Sequence, residues 1–203
     1  PSVGLYVDNI PYIDKSAFDF DYSDIERIDV LRGPQGTLYG RNAMGGLIKV
    51  HTKSPFSYQG TDFRIGAGTH NQYNTSVTHY HRINERFAFS AGGFYDYEGG
   101  FFRNAALNNK KIDKGQSAGG RARAIYLPSE NWKLDFNVSY EYSDQGGYPY
   151  GLYDKTTGDV AQPAYNDESS YYRNLLNAGV NIEHQAQNFT LSAVTGYQFL
   201  KDR

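Results

Sequence analysis

DIERIDVLRGPQGTLYGRNAMGGLIKVHTK, residues 24–53, is the stretch that decides the fold of this chain. Its middle part is dense in glycine, at Gly33, Gly36, Gly40, Gly45 and Gly46. Such a density indicates a backbone that turns tightly and repeatedly, using φ > 0 positions closed to other residues. The flanking apolar residues predict a turn of helix over Asp24–Ile28, a strand over Ile28–Leu31 and a second strand over Leu47–Thr52. We expect a compact, rigid module here rather than a linker.

This stretch closely resembles the end of the plug domain of TonB-dependent outer-membrane receptors. The resemblance rests on four short motifs in the same order and spacing: Ile25–Ile28 (IERI), Val30–Pro34 (VLRGP), Leu38–Gly40 (LYG) and Ala43–Ile48 (AMGGLI). It implies a plug followed by a transmembrane β-barrel. The remaining sequence can be compared with that expectation on its own evidence.

The composition excludes several classes of protein. The chain has 203 residues, a net charge of −2 and a mean hydropathy of −0.66. The charge argues against nucleic acid as a partner. No apolar run approaches the roughly 18 residues that a membrane helix needs, but membrane β-barrels lack such runs too, because their strands are apolar on one face only. The absence of cysteine excludes disulfides and thiolate metal sites.

Alternating apolar residues predict strands along most of the chain. A strand over Gly4–Tyr12, stopped at Pro11, joins the two strands of the glycine-rich stretch in a small α+β unit. From Phe56 onward the alternation dominates and helical signals nearly vanish. It predicts seven further strands, at Gly60–Thr69, Tyr73–Arg82, Phe87–Tyr97, Ser117–Tyr126, Trp132–Ser143, Tyr172–His184 and Phe189–Phe199.

Three of these seven strands carry an aromatic residue at each end of one apolar face: Phe87 and Tyr97, Trp132 and Tyr142, Phe189 and Phe199. Tilted by ~45°, such a face spans roughly 23 Å, close to the ~25 Å apolar band of an outer-membrane barrel. The connections also alternate between tight turns and long polar loops, as they do in these barrels, except that the first connection, near His70–Asn71, is short as well. A soluble β-sandwich with one wet face is the alternative, but it explains neither feature.

We therefore predict a mainly β chain with two parts. Residues 1–55 are predicted as a small α+β plug portion, and residues 56–203 as about seven antiparallel strands of an incomplete transmembrane β-barrel. A plugged barrel needs about 22 strands, so we expect the later part of a plug and the first third of a barrel. Both ends look cut, and the segment that recruits the energy-coupling protein is expected before Pro1.

Two loops are candidates for ligand binding. The resemblance implies that Tyr12–Phe20 is an outward plug loop that touches substrate, through Tyr12, Asp14, Lys15, Phe18 and Phe20. The long loop Asp144–Tyr171 presents Tyr148, Tyr150 and Tyr153, and exposed aromatic residues in long loops are a usual binding surface. Lys110 and Lys111 of the other long loop would suit an anionic ligand, although a solvated loop tip is the simpler interpretation.

Charged residues predict how a plug would be held. By alternation, Asp96, Glu98, Asp135 and Glu141 face inward. In the family the plug is held largely by polar and ionic contacts. The resemblance therefore makes Arg32 and Arg41 candidates to pair with Asp135 and Glu141, with a solvated arginine as the alternative. Wetted ion pairs can be rearranged by force, whereas a hydrophobic lock would resist movement.

No catalytic or nucleotide site is predicted. GPQGTLYGRNAMGG fits neither phosphate-binding glycine motif. His79 and His81 lie at i, i+2 on one strand face and could bridge a metal, but two ligands without a third favour an ordinary wall position. Ser90, Ser139 and Ser192 lie in mid-strand, without the turn that a nucleophile needs. We expect no enzyme activity, no cofactor and no metal site.

The resemblance implies an active transporter in the outer membrane of a Gram-negative bacterium. The expected cargo is a scarce nutrient, most often an iron–siderophore complex in this family; cobalamin, heme and oligosaccharides stay open. Expected partners are outer-membrane lipid, the inner-membrane energy-coupling protein TonB and a small-molecule or metal-chelate ligand, but no nucleic acid. The alternatives are a passive porin or adhesin-like barrel, which leaves residues 1–55 unexplained, and a soluble carbohydrate-binding β module.

Overall fold

The computed structural model describes residues 3–13, 24–39, 43–107, 111–165 and 169–203, which form two β-sheets. The small sheet contains β1 (Val3–Val7), β2 (Ile10–Tyr12), β3 (Ile25–Arg32) and β4 (Gly46–Thr52), with a one-turn helix α1 (Gly36–Tyr39) between β3 and β4. The large sheet contains β5 (Gly60–Gly68), β6 (Gln72–Asn84), β7 (Phe87–Glu98), β8 (Gly115–Ser129), β9 (Trp132–Gly146), β10 (Ser170–Gln185) and β11 (Thr190–Asp202).

The small sheet has the strand order β2-β1-β4-β3, with β1 and β4 parallel. The single strand predicted over Gly4–Tyr12 is in fact a hairpin of β1 and β2. Its two turn residues, Asp8 and Asn9, both have positive φ, 48° and 68°, as tight hairpin turns require and as Asp and Asn tolerate. Pro11 does not stop a strand but lies within β2, at the edge of the sheet, where a missing N–H is tolerated.

The prediction of a helical turn over Asp24–Ile28 is wrong, because strand β3 begins at Ile25. This strand pairs antiparallel with β4 from Ile25 opposite Thr52 to Arg32 opposite Gly46, with an irregularity after Ile25. A single isolated helical turn has a costly nucleus and few hydrogen bonds. The ladder offered by β4 therefore outweighs the local helical pattern.

The glycine-rich stretch does turn tightly between β3 and β4. Gly46 has φ +152°, and a Cβ placed on it would lie 2.8 Å from the carbonyl oxygen of Leu31. Such a separation excludes any side chain at this position. The return of the chain from β3 into β4 therefore depends on glycine at Gly46.

The large sheet is antiparallel throughout, and every strand pairs with its neighbours in sequence. The predicted bounds of its seven strands differ from the observed ones by at most three residues at either end. Tight turns at residues 85–86, 130–131 and 186–189 alternate with long connections at residues 99–114 and 147–169, and the first connection, residues 69–71, is short as well. The mainly β prediction with a seven-stranded antiparallel sheet is confirmed.

One face of the large sheet contacts the small sheet, and we call it the inner face; the opposite one is the outer face. Strand β9 shows the difference, because Asp135 and Glu141 on the inner face are 4% and 7% exposed. Phe136 and Tyr140 on the outer face are 45% and 47% exposed. Within the described ranges, no helix is long and apolar enough to cross a membrane.

The two sheets share one hydrophobic core. Leu5, Val7, Tyr12 and Val50 of the small sheet pack with Leu175 of β10. Leu200 of β11 packs against the same cluster. Burying one such aliphatic side chain contributes roughly 1.5–3 kcal/mol. Because the cluster takes residues from both sheets, this free energy stabilises their attachment to each other.

Candidate functional site

A buried network of four residues joins the small sheet to strand β8. Arg123 forms a two-pronged contact with Asp135 on β9, with Nε–Oδ1 at 3.0 Å and Nη2–Oδ2 at 2.7 Å. Its Nη1 donates to the Thr52 hydroxyl at 2.9 Å and lies 3.4 Å from Asp8 Oδ1. Asp8 in turn accepts hydrogen bonds from the Thr52 backbone N–H and hydroxyl, at 2.9 and 2.7 Å. One arginine therefore binds acids from both sheets.

A second ion pair lies beside this network. Arg121, two residues before Arg123 on the same face of β8, donates to both carboxylate oxygens of Asp24 at 3.1 and 3.3 Å. Both side chains are largely buried, at 16% and 11% exposure. The Asp24 carbonyl also accepts the Lys53 N–H at 3.0 Å. This pair attaches the small sheet to β8 at the start of β3, beside the end of β4.

Neutral polar contacts add to these pairs along β9, β10 and β11. The Asn181 amide donates to the Asp8 carbonyl at 2.6 Å, and the Ile13 N–H donates to Gln198 Oε1 at 3.1 Å. The hydroxyls of Tyr12 and Ser139 lie 3.4 Å apart. A cavity of about 40 Å³ lies beside them between the two sheets, large enough for water. The interface between the sheets is therefore polar as well as apolar.

The structure reverses the charge arrangement that was expected at this interface. The acids come from the small sheet, Asp8 and Asp24, and the arginines come from the wall strand β8. Arg32 is exposed at the end of β3, and no ion pair joins it to a described wall residue. Arg41 lies outside the described residues.

The two predicted wall acids are buried on the inner face, but their ion-pair partners are wall arginines. Asp135 pairs with Arg123, which connects it to the small sheet. Glu141 pairs with Arg173 of β10. The alternation of Arg121 and Arg123 with small residues in GGRARAIY was the signal that could have identified the two arginines as inward-facing.

The segment between the sheets, residues 53–59, is attached to the wall. Lys53 Nζ lies 2.5 Å from Asp62 and 4.4 Å from the ring centre of Tyr58. The Tyr58 ring packs edge-on against Tyr80, which is 1% exposed, and its hydroxyl donates to Asp62. Donation to the carboxylate raises the pKa of Tyr58 above its usual value. These contacts attach the segment before β5 to side chains of β5 and β6.

The two long connections contact each other. Asn104 is fully buried and donates to the Tyr165 carbonyl at 2.9 Å. The Tyr165 hydroxyl donates to the Tyr148 carbonyl at 3.2 Å. The Asp113 carboxylate accepts the N–H groups of Phe101 and Phe102 at about 3 Å. Hydrogen bonds thus order the described parts of both loops.

The predicted ligand residues separate into three groups. Tyr148, Tyr150 and Tyr153 are exposed at 67%, 75% and 62%, and Tyr148 lines a groove of about 390 Å³ together with Asp96 and Glu98. Tyr12 is 7% exposed and belongs to β2 and the shared core, so its ring offers little surface to a ligand. The third group, outside the described residues, is Asp14, Lys15, Phe18 and Phe20.

The histidine pair lies on the outer face. The rings of His79 and His81 stack at 5.9 Å, and His79 Nδ1 lies 2.8 Å from the Thr61 hydroxyl. Among the described residues, no group of three or more His, Cys, Asp or Glu side chains could hold a metal ion. The pair lies on the outer face beside Phe89, and the ring centres of His81 and Phe89 are 5.9 Å apart.

The small mixed sheet is bound through buried ion pairs to the inner face of an antiparallel sheet, and the outer face of that sheet is apolar. This is the arrangement of a plug held against part of the wall of a membrane β-barrel. Residues 1–47 match the family described as TonB-dependent Receptor Plug Domain. The chain is 27% identical over 143 residues to the pesticin receptor of Yersinia enterocolitica, which covers 70% of this chain and 21% of the relative. It is 30% identical over 197 residues to the vitamin B12 transporter BtuB of Vibrio vulnificus, covering 87% and 31%.

The fold agrees with these sequence relatives. The solved structure of the ferric yersiniabactin uptake receptor FyuA from Yersinia pestis matches with a TM-score of 0.82 at 21% identity, covering all of this chain and 32% of that one. The resemblance is therefore confirmed: this is a TonB-dependent receptor sequence of the Gram-negative outer membrane. The chain spans between a fifth and a third of the length of these relatives.

Proposed function

We propose that this chain forms the end of the plug, at residues 1–55, and the first wall strands, at residues 56–203, of a receptor that actively imports a scarce nutrient. The observation that carries the proposal is the set of contacts between the sheets, above all Asp8 and Asp24 with Arg121 and Arg123. A barrel through which solutes only diffuse would not need a small sheet held against its wall by buried ion pairs. The exposed loop tyrosines supply a surface for the ligand on the loop side.

An iron–siderophore complex is the proposed cargo. The name of FyuA, a ferric yersiniabactin uptake receptor, supports it. Aromatic faces such as those of Tyr148 and Tyr150 suit a chelate that carries flat rings. Cobalamin is the second candidate, since BtuB is matched over most of this chain. Heme and oligosaccharides are less supported, and neither an enzyme nor a soluble carbohydrate-binding module is part of the proposal.

In this scheme, TonB draws on the energy of the inner membrane and pulls the plug away from part of the wall. The resistance comes from contacts of two kinds. The Asp24–Arg121 pair and the Arg123 network break as local electrostatic contacts, whereas Leu175 and Leu200 bind the small sheet through apolar packing. Movement of the small sheet relative to β8, β10 and β11 is therefore the step that opens a path.

A disulfide between the sheets tests that step. A Cβ built on Gly179 lies 2.8 and 3.0 Å from Cγ1 and Cγ2 of Ile10, so the two Cβ atoms are within disulfide reach. In the full-length receptor, Ile10→Cys with Gly179→Cys should stop uptake of a ⁵⁵Fe-labelled siderophore when oxidised and permit it when reduced. Ligand binding at the cell surface should persist in both states.

The matched control is Val138→Cys with Ala178→Cys, which joins two paired strands within the wall and should leave uptake unchanged. Uptake that is equal in the oxidised and reduced Ile10–Gly179 variant would contradict plug movement. Labelled cyanocobalamin, tested in parallel with and without TonB, distinguishes the two cargo candidates. Uptake of either compound without TonB would contradict active transport.

A further inference from the structure

Two histidines interrupt the apolar outer face of the large sheet. His81 pairs with Phe89 of β7 and His79 pairs with Ala91, and both histidines are exposed. The same two rows continue on β8 and β9 with the apolar residues Ala124 and Phe136, and Ala122 and Val138. The pair is therefore a polar patch in rows that are otherwise apolar on these strands.

The patch lies within the apolar band of the wall. Strand β7 carries an aromatic ring at each end of its outer face, Phe87 and Tyr97, and such rings mark the borders of the band. His81 and His79 lie one and two rows inside the border set by Phe87. Hydrocarbon offers no hydrogen-bond partner, so an ionisable side chain at this depth is costly unless protein supplies one.

Contacts within the wall use only part of the hydrogen-bonding capacity of the two rings. His79 Nδ1 lies 2.8 Å from the Thr61 hydroxyl, a contact that uses one of its two ring nitrogens. His81 is stacked on His79 with 17° between the ring planes, and its ring meets Phe89 edge-on. Ring stacking satisfies neither the donor nor the acceptor of a neutral imidazole.

The outer surface beside the patch permits close approach of a second wall. Toward β8 it is made of small residues, Ala91 and Gly93 of β7 with Gly120 and Ala122 of β8. Small residues let membrane-embedded segments approach until polar groups on them can meet. On the side toward β5, Phe63 and Val77 are 68% and 45% exposed and would border the contact with apolar surface.

We propose that this patch joins two copies of the receptor side by side in the membrane. A two-fold axis along the membrane normal keeps every residue at its own depth, so each histidine meets its counterpart on the second copy. A neutral imidazole carries one donor and one acceptor, so the two counterparts satisfy each other through an N–H···N bond. Lipid has no such groups inside the band. The patch is separate from the proposed cargo surface and requires only that the receptor lies in the outer membrane.

The number of receptor copies in one patch of membrane tests the proposal. The full-length receptor is extracted from outer membranes in polymer discs that retain its lipid, and native mass spectrometry counts the copies in each disc. We expect discs with one and with two copies, and a share of the latter that rises with the amount of receptor in the membrane. Single copies at every expression level would overturn the proposal. So would discs that pair one receptor with a different protein.

His79→Leu with His81→Leu should weaken the association about tenfold, because two hydrogen bonds between the walls are lost. His79→Asn with His81→Asn retains a donor and an acceptor at each position and should associate more strongly than the leucine variant. The matched control is Thr195→Leu, which removes a polar side chain from the row of His81 but on the distant strand β11. It should associate like the wild type. Equal association of the wild type and the leucine variant would contradict the patch.

A cross-link locates the contact. In a full-length receptor without other cysteines, Val77→Cys, two residues from His79 on the same face, should give a two-copy product with a short bismaleimide. Val138→Cys on β9 should give far less, and the reverse order would overturn the proposal. Resistance to trypsin shows that each variant is folded. Because the histidines lie on the face away from the small sheet, nutrient uptake should be unchanged, so that association and the proposed transport function can fail separately.

Discussion

At the scale of single residues, the attachment of the small sheet depends on two arginines that share one face of one strand. Arg121 and Arg123 both lie in surroundings largely closed to water, with acids from the small sheet as partners. Forming such a pair gains little net free energy, because both charges lose their hydration. Removing one partner costs much more, since the other charge is then buried alone.

Arg123→Met should therefore loosen the small sheet, because it leaves Asp8 and Asp135 buried without their cation. We expect a loss of about 3–5 kcal/mol in the local stability of the interface. Hydrogen exchange at the Thr52 amide, which donates to Asp8 at 2.9 Å, measures this loss directly. Arg27→Met is the control, because its pair with Asp29 is exposed and contributes at most about 1 kcal/mol. Equal exchange rates in the two variants would contradict the role of Arg123.

The polarity of these pairs shows where prediction from the sequence reached its limit. The alternation of apolar and polar residues correctly predicts that Asp135 and Glu141 face inward, because side chains alternate between the two faces of a strand. It could not show which opposite charge would face them. The motif makes Arg32 and Arg41 candidates, whereas the observed pairs depend on the long-range docking of Asp8 and Asp24 against β8.

At the scale of elements, the wall strands and β4 were predictable, whereas the start of β3 and the hairpin of β1 and β2 were not. A wall strand such as β9 repeats its pattern over many residues, so small local exceptions do not change its assignment. Strand β3 mixes apolar with charged residues and is largely exposed, so the pattern of its first residues also fits a helical turn, and pairing with β4 decides for strand. The β1–β2 hairpin was missed because the conformation of its turn depends on positive φ at Asp8 and Asn9.

One loop element should respond to pH. The Asp154 carboxylate accepts the Thr156 N–H at 2.7 Å in the turn that leads to Gly158. Hydrogen bonds from the backbone of Thr156 and Thr157 lower the pKa of Asp154 below its usual value. Because the pKa is lowered on folding, the contribution to loop order is complete above about pH 4 and is lost as pH falls through the folded pKa.

We expect proteolytic cutting of the loop at residues 154–160 by pepsin to increase as pH falls below about 4. In Asp154→Ala the loop should be cut at a rate that depends on pH only through the activity of pepsin. Cutting of an unfolded reference peptide corrects for that activity. A wild-type loop with the same corrected pH profile as Asp154→Ala would contradict the prediction.

At the scale of the whole molecule, the two sheets are not independent units. The shared core takes Leu5, Val7 and Val50 from the small sheet but depends on Leu175 from the tenth strand. Detaching the small sheet therefore exposes apolar surface on both partners as well as breaking the ion pairs. The proposed movement of the small sheet would require work against both kinds of contact.

Leu175→Ala should weaken this attachment by about 2–5 kcal/mol, the usual cost of truncating a buried leucine. Leu176→Ala is a close control, because it removes the same atoms from the adjacent position on the outer face. Trypsin accessibility of the small sheet in the full-length receptor should rise for the first variant and stay near wild type for the second. The reverse order would contradict the shared core.

The same core imposes an order on biosynthesis. Leu5 leaves the ribosome about 170 residues before Leu175, and about 195 before Leu200, the two leucines of the large sheet against which its cluster packs. Until those strands are made, the apolar face of the small sheet lacks these partners and is open to aggregation. Contacts of such high sequence separation also fold slowly. We therefore expect the small sheet to complete its packing only after β10 and β11 have been made.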